Sequence, residues 1–198
     1  MKKANIAVLV SGGGTNLQAL LDAEKDRKIP HGQIVVVLSS KPNAYALERA
    51  KKAGIPGFAV EKSDFEGNLN ALLEEYHTDL VVLAGFLSIL SASFTKKWAN
   101  RIVNIHPSLI PAFCGQGMYG LKVHEAALQK GVKVTGATVH LVNEIPDGGQ
   151  ILLQKAVEVL PGDTPETLQK RVMEQAEWQL LPQAVELLAD KIAKETDK

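Results

Sequence analysis

Ile6-Ala7-Val8-Leu9-Val10-Ser11-Gly12-Gly13-Gly14-Thr15-Asn16-Leu17-Gln18-Ala19-Leu20-Leu21 runs from an unbroken apolar stretch, through a Gly-rich turn, into an amphipathic one. Five consecutive apolar residues are apolar on both alternating faces, which is the pattern of a strand covered on both sides. Leu17, Leu20 and Leu21 then recur at helical spacing, with Asp22, Glu24 and Lys25 pointing elsewhere. Further strands are predicted over 34–38, 58–60, 80–84 and 102–105, and helices over 16–26, 44–53, 69–76 and 93–98. Strand-helix alternation of this kind predicts an α/β fold with a doubly wound, mostly parallel (Rossmann-like) sheet.

Beyond residue 105 the pattern changes. A Pro- and Gly-rich stretch from His106 to Gly120 has no clear period. A helix over 123–129 and strands over 135–142 and 151–159 follow. The Asp147-Gly148-Gly149 turn between those strands predicts an antiparallel pair near the C-terminus. Asp163-Thr164-Pro165-Glu166 then opens a long final helix: a polar cap, Pro in the first turn, and acid at the positive end of the dipole. That helix is expected to reach about residue 189, so that 1–190 forms a single domain and 191–198 a solvated tail.

Composition narrows the function. Lys+Arg and Asp+Glu each number 22, so the formal net charge is zero, without the basic footprint that nucleic-acid binding needs. One cysteine, Cys114, excludes a disulfide framework and reads as a small packing residue. The N-terminal apolar run is too short for a signal peptide or a membrane span. A soluble, cytoplasmic protein with no membrane or nucleic-acid partner is the expectation.

The Gly-rich turn is not a dinucleotide fingerprint, because Leu17 stands at the third glycine position and Ser39-Ser40-Lys41 offers no ribose acid. It is either a tight turn needing glycine dihedrals or a monophosphate site at a helix N-terminus. Val103-Asn104-Ile105-His106-Pro107-Ser108-Leu109-Ile110-Pro111 is the most informative stretch for chemistry. Residues two apart share a strand face, so Asn104 and His106 project together at the end of the fifth strand, where open parallel sheets bind ligands. Asn offers a donor to a developing oxyanion and His a proton near neutrality, although both residue types also satisfy loop backbone. By sequence alone Asp147 is a turn acid and His140 a core histidine. His31, His77 and His124 read as solvated, Trp98 and Trp178 as packing residues, and no His/Asp/Glu cluster has metal-ligand spacing.

With these motifs together, the sequence resembles the phosphoribosylglycinamide formyltransferase family within the formyltetrahydrofolate-using enzymes. The resemblance rests on Ser11-Gly12-Gly13-Gly14-Thr15-Asn16, Ala84-Gly85-Phe86, Asn104-Ile105-His106-Pro107-Ser108-Leu109 and Asp147-Gly148-Gly149. It implies that Asn104, His106 and Asp147 form a catalytic trio. Gly14, Thr15, Asn16 and Glu177 would hold glycinamide ribonucleotide, and Leu87, Ser88, Ile89, Leu90 and Asn104 would line the folate pocket. The implied co-substrate is 10-formyltetrahydrofolate, with no metal, in a monomer or homodimer. Transfer-RNA formyltransferases and formyltetrahydrofolate deformylases carry a further domain that 198 residues would not hold. Two departures bear on the folate's glutamate tail: Ser88 stands where relatives often carry a base, and the stretch around Phe65-Glu66-Gly67-Asn68 is short and lacks an Arg. A nicotinamide oxidoreductase, a non-catalytic binding module and another formyl-folate enzyme are the rival readings.

Overall fold

The computed structural model describes residues 2–196. Its elements follow the order β1 (Ala4–Val10), α1 (Thr15–Lys25), β2 (Gly32–Ser39), α2 (Tyr45–Lys52), β3 (Gly57–Ala59), α3 (Phe65–Glu75), β4 (Leu80–Leu83), α4 (Ala92–Lys97) and β5 (Ile102–His106). There follow α5 (Leu121–Lys130), β6 (Val134–Leu141), β7 (Ile151–Glu158), α6 (Pro165–Val172), a π-helical segment Met173–Glu177, and α7 (Trp178–Thr196). The seven strands lie in the order β3-β2-β1-β4-β5-β6-β7. Neighbours from β3 to β5 pair in parallel, whereas β6 is antiparallel to both β5 and β7. The antiparallel character expected of the last two strands therefore also governs the β5–β6 seam, which becomes the floor of the site.

The unbroken apolar strands are explained by cover on both faces. Ile6, Val8 and Val10 of β1 pack with Leu17 and Leu20 of α1 and with Leu181 and Val185 of α7. Ala7 and Leu9, on the opposite face, pack with Leu69 and Leu73 of α3 and Phe94 of α4. The chain leaves β1 toward β2 on one side and enters β4 on the other. The strand order thus reverses between β1 and β4, the crevice where such sheets take ligands.

Three expectations need correction. The final helix is not continuous: α6 passes into a π-helical segment before α7 begins. Nor does it stop near residue 189. It runs to Thr196 with Ile192 and Ala193 buried, so a boundary at 190/191 falls inside a packed helix. Residues 197 and 198 of the expected tail lie outside the described residues. His124, expected in solvent, is wholly buried on α5. Burial first, and then the nearby His106, lower its pKa to about 4, so it is neutral at pH 7. The sequence cue misled because α5 begins at Leu121, which turns His124 inward with Val123 and Ala127.

Candidate active site

β1 ends at Val10, and α2 braces the turn that follows. Gly14 has φ +74°, a left-handed conformation, and a Cβ there would lie 2.7 Å from the Ala46 Cβ. Both facts require glycine. The Gly12 carbonyl accepts from the Ala46 N–H (3.1 Å), and the Gly14 carbonyl accepts the first helical bond from Gln18 (2.9 Å). The N–H groups of Gly13, Gly14 and Thr15 donate to nothing among the described residues. Unpaired N–H groups at a helix start form an anion-binding concavity. Ser11 is hydrogen-bonded to Ser40 (2.6 Å) and accepts the Leu87 N–H (2.9 Å), tying the turn to the loop after β4.

Asn16 and Glu177 meet beneath this turn. Asn16 Nδ2 donates to Glu177 Oε2 at 2.6 Å, while Asn16 Oδ1 is buried without a partner. Glu177 closes the π-helical segment and is buried. Burial raises its pKa from 4.5 to about 6, against the lowering effect of the Asn16 bond. A carboxylate held this deep beside an unpaired amide oxygen is poised for a polar ligand rather than for stability.

At the β5–β6 seam Asn104 pairs with His140 and His106 with Thr138. His140 Nδ1 donates to the Leu141 carbonyl at 2.8 Å. Its Nε2 faces Asn104 Nδ2 at 3.1 Å and Asp147 Oδ1 at 3.5 Å, so it accepts from the amide when neutral and donates to the carboxylate when protonated. His106 Nε2 donates to the Phe113 carbonyl at 2.9 Å, and its Nδ1 faces Asp147 Oδ2 at 3.6 Å. Asp147 therefore bridges two histidines, and it also accepts the Gly115 N–H at 2.8 Å. Burial pushes its pKa up, but the bonds to His140 and Gly115 and the nearness of both imidazoles hold it below the ordinary carboxylate value.

Local geometry explains how a turn acid reaches the strand. Asp147 has φ +55°, which Asp tolerates better than most residues. A Cβ on Gly149 would lie 1.7 Å from the Leu141 carbonyl, so only glycine lets this turn fold back on β6. The loop after β5 is stitched down as well: Thr138 Oγ1 donates to the Ser108 carbonyl (2.6 Å) and accepts the Ile110 N–H (3.1 Å).

The structure thus brings Asn104, His106 and Asp147 together, and adds His140. The period-two alternation of β6 was the one signal for His140, and it becomes informative only once the β5–β6 register is known. Ser88, Ile89 and Leu90 line a cavity of about 130 Å³ together with Asn104, His140 and Asp147. Leu87 does not line it; its side chain is half exposed. A larger cavity of about 560 Å³, between α1 and α7, contains none of the histidines or Asp147. Convergent titratable groups, not size, mark the smaller one as the site. Cys114 Sγ donates to the Pro111 carbonyl at 3.3 Å, and burial and the Asp147 charge raise its pKa, the opposite of an activated thiol.

Known proteins resemble this chain over most of its length. The formyl transferase family model matches residues 4–185. The chain is 43% identical over 188 residues to the phosphoribosylglycinamide formyltransferase of Haemophilus influenzae, covering 92% of this chain and 84% of that one. It is 46% identical over 195 residues to the bovine trifunctional purine biosynthetic protein adenosine-3, covering 95% of this chain but only 18% of that longer protein. The crystal structure of glycinamide ribonucleotide transformylase 1 from Symbiobacterium toebii superposes with a TM-score of 0.88 at 42% identity, covering 96% of this chain and 89% of that one. The chain belongs to the formyl transferase family.

Proposed function

We propose that the protein transfers the formyl group of 10-formyltetrahydrofolate to the amine of glycinamide ribonucleotide. The observation that carries this reading is Asp147 seated between His106 and His140, within 3.6 Å of each, at the edge of a cavity that also holds Asn104. The substrate amine attacks the formyl carbon, its C=O becomes a tetrahedral C–O⁻, and the folate N10 leaves with a proton. Asn104 supplies an amide donor to the oxyanion. Asp147 Oδ2 faces His106 Nδ1 across 3.6 Å and orients the imidazole, which donates to the same oxyanion and moves a proton toward the leaving nitrogen. To donate there, His106 Nε2–H exchanges the Phe113 carbonyl for the oxyanion.

Backbone and side-chain groups at Gly14, Thr15 and Asn16 hold the phosphate in this reading, with the free Gly13 N–H beside them, and Glu177 contacts the ribonucleotide. Ser88, Ile89 and Leu90 flank the folate ring, with Leu87 holding the loop to Ser11. No step is assigned to a metal or to a covalent enzyme intermediate. The second reading, another formyltetrahydrofolate-using enzyme, leaves the unpaired N–H groups and buried Glu177 without a use. A spectrophotometric assay with 10-formyl folate separates the two. Turnover that depends on glycinamide ribonucleotide supports the first reading, and folate deformylation without any amine overturns it.

A further inference from the structure

We propose that Arg49, on α2, is a positioning residue that aims the backbone of the Gly-rich turn at the substrate phosphate. Its Nε donates to the Gly13 carbonyl at 2.8 Å, and its Nη1 to Gln18 Oε1 of α1 at 2.9 Å. The guanidinium lies over the Tyr45 ring, 5.2 Å from its centre. In a planar trans peptide the C=O of one residue and the N–H of the next point in opposite directions. Drawing the Gly12 carbonyl to the Ala46 N–H and the Gly13 carbonyl to Arg49 turns the N–H groups of Gly13 and Gly14 away from α2. Those are donors that bond to nothing else among the described residues. Arg49 also makes no ion pair with a carboxylate among the described residues, so its charge is left to favour a phosphate dianion across the turn.

A lysine keeps the charge but cannot donate from two directions in one plane. This inference rests on the proposed phosphate site, so its test includes a probe that needs no turnover. Ribose 5-phosphate is titrated calorimetrically into wild type, Arg49→Lys, Arg49→Gln and Gln18→Ala, and steady-state constants are measured alongside. Both Arg49 variants should bind ribose 5-phosphate about 10- to 100-fold more weakly. KM for the ribonucleotide should rise in step, with KM for the folate and kcat within about threefold of wild type. Gln18→Ala, which removes one anchor of the fork, should lose less, and its effect should shrink in an Arg49→Lys background. Wild-type affinity in Arg49→Lys would show that charge alone suffices, and equal rises in both KM values would show a general loss of structure; either overturns the proposal. If wild type binds ribose 5-phosphate but transfers no formyl group, the proposed function fails while the Arg49 comparison still decides this inference.

Discussion

At the scale of single residues, the proposed chemistry turns on one carboxylate, Asp147. Asp147→Asn keeps shape and one acceptor but removes the charge that both imidazoles face. Loss of about 2–4 kcal/mol of transition-state support is expected, roughly 30- to 1000-fold in turnover. Ribonucleotide affinity should change little, because the anion-binding turn is built on other elements. Stopped-flow turnover with equilibrium binding checks this, and near-normal turnover in a folded variant would leave Asp147 as a structural turn residue. Gly14→Val tests the opposite end of the site. A β-branched residue at φ +74°, with its Cβ against Ala46, disrupts the turn, so KM for the ribonucleotide should rise far more than that for the folate. Cys114→Ser should stay within about threefold of wild-type turnover, since the thiol donates to the Pro111 carbonyl and no proposed step needs a thiolate; a hundredfold loss would mean covalent catalysis.

At the scale of elements, the helical C-terminus carries a π-helical irregularity and an unexpected length. A π turn closes i→i+5 bonds and is often found at functional sites. Here it delivers Glu177 to Asn16. The α7 helix then continues past the point where polar residues suggested a tail. Ile192→Ala should cost about 2–4 kcal/mol of unfolding free energy, because the side chain is buried against the core of the sheet. Urea denaturation measures it, and a loss under about 0.5 kcal/mol would restore the solvated-tail reading.

At the scale of the whole molecule, stability and function pull apart at Glu177. A carboxyl whose pKa rises from 4.5 unfolded to about 6 folded binds its proton more tightly in the folded state, so folding loses stability as pH climbs through that interval. At pH 7 the cost is about 2 kcal/mol. Glu177→Gln should therefore be the more stable protein at pH 7–8, with the advantage vanishing below about pH 4.5, while ribonucleotide binding weakens. Denaturant titrations across pH test this; a pH-independent difference would mean that the effect is packing rather than ionisation. Asp147 acts with the opposite sign. Its lowered pKa contributes stability above its ordinary value, lost as acid protonates it. Among the described residues no helix is long and apolar enough to cross a membrane.

The strand-helix alternation, the glycine turn and the Asn104–His106 pair were legible in the sequence because each rests on a local rule: period two, period 3.6, and a dihedral that only glycine adopts freely. What lay beyond reach was whatever depends on register or on distant packing. His140 is a partner of Asn104 only because β6 runs antiparallel to β5 in that register, and Asp147 bridges two histidines only because Gly149 lets its turn fold onto Leu141. The buried state of His124, the π segment at Glu177 and the reach of α7 to Thr196 were decided in the same way. A side chain's surroundings are set by the surfaces packed against its element, and those surfaces come from parts of the chain that no local window contains.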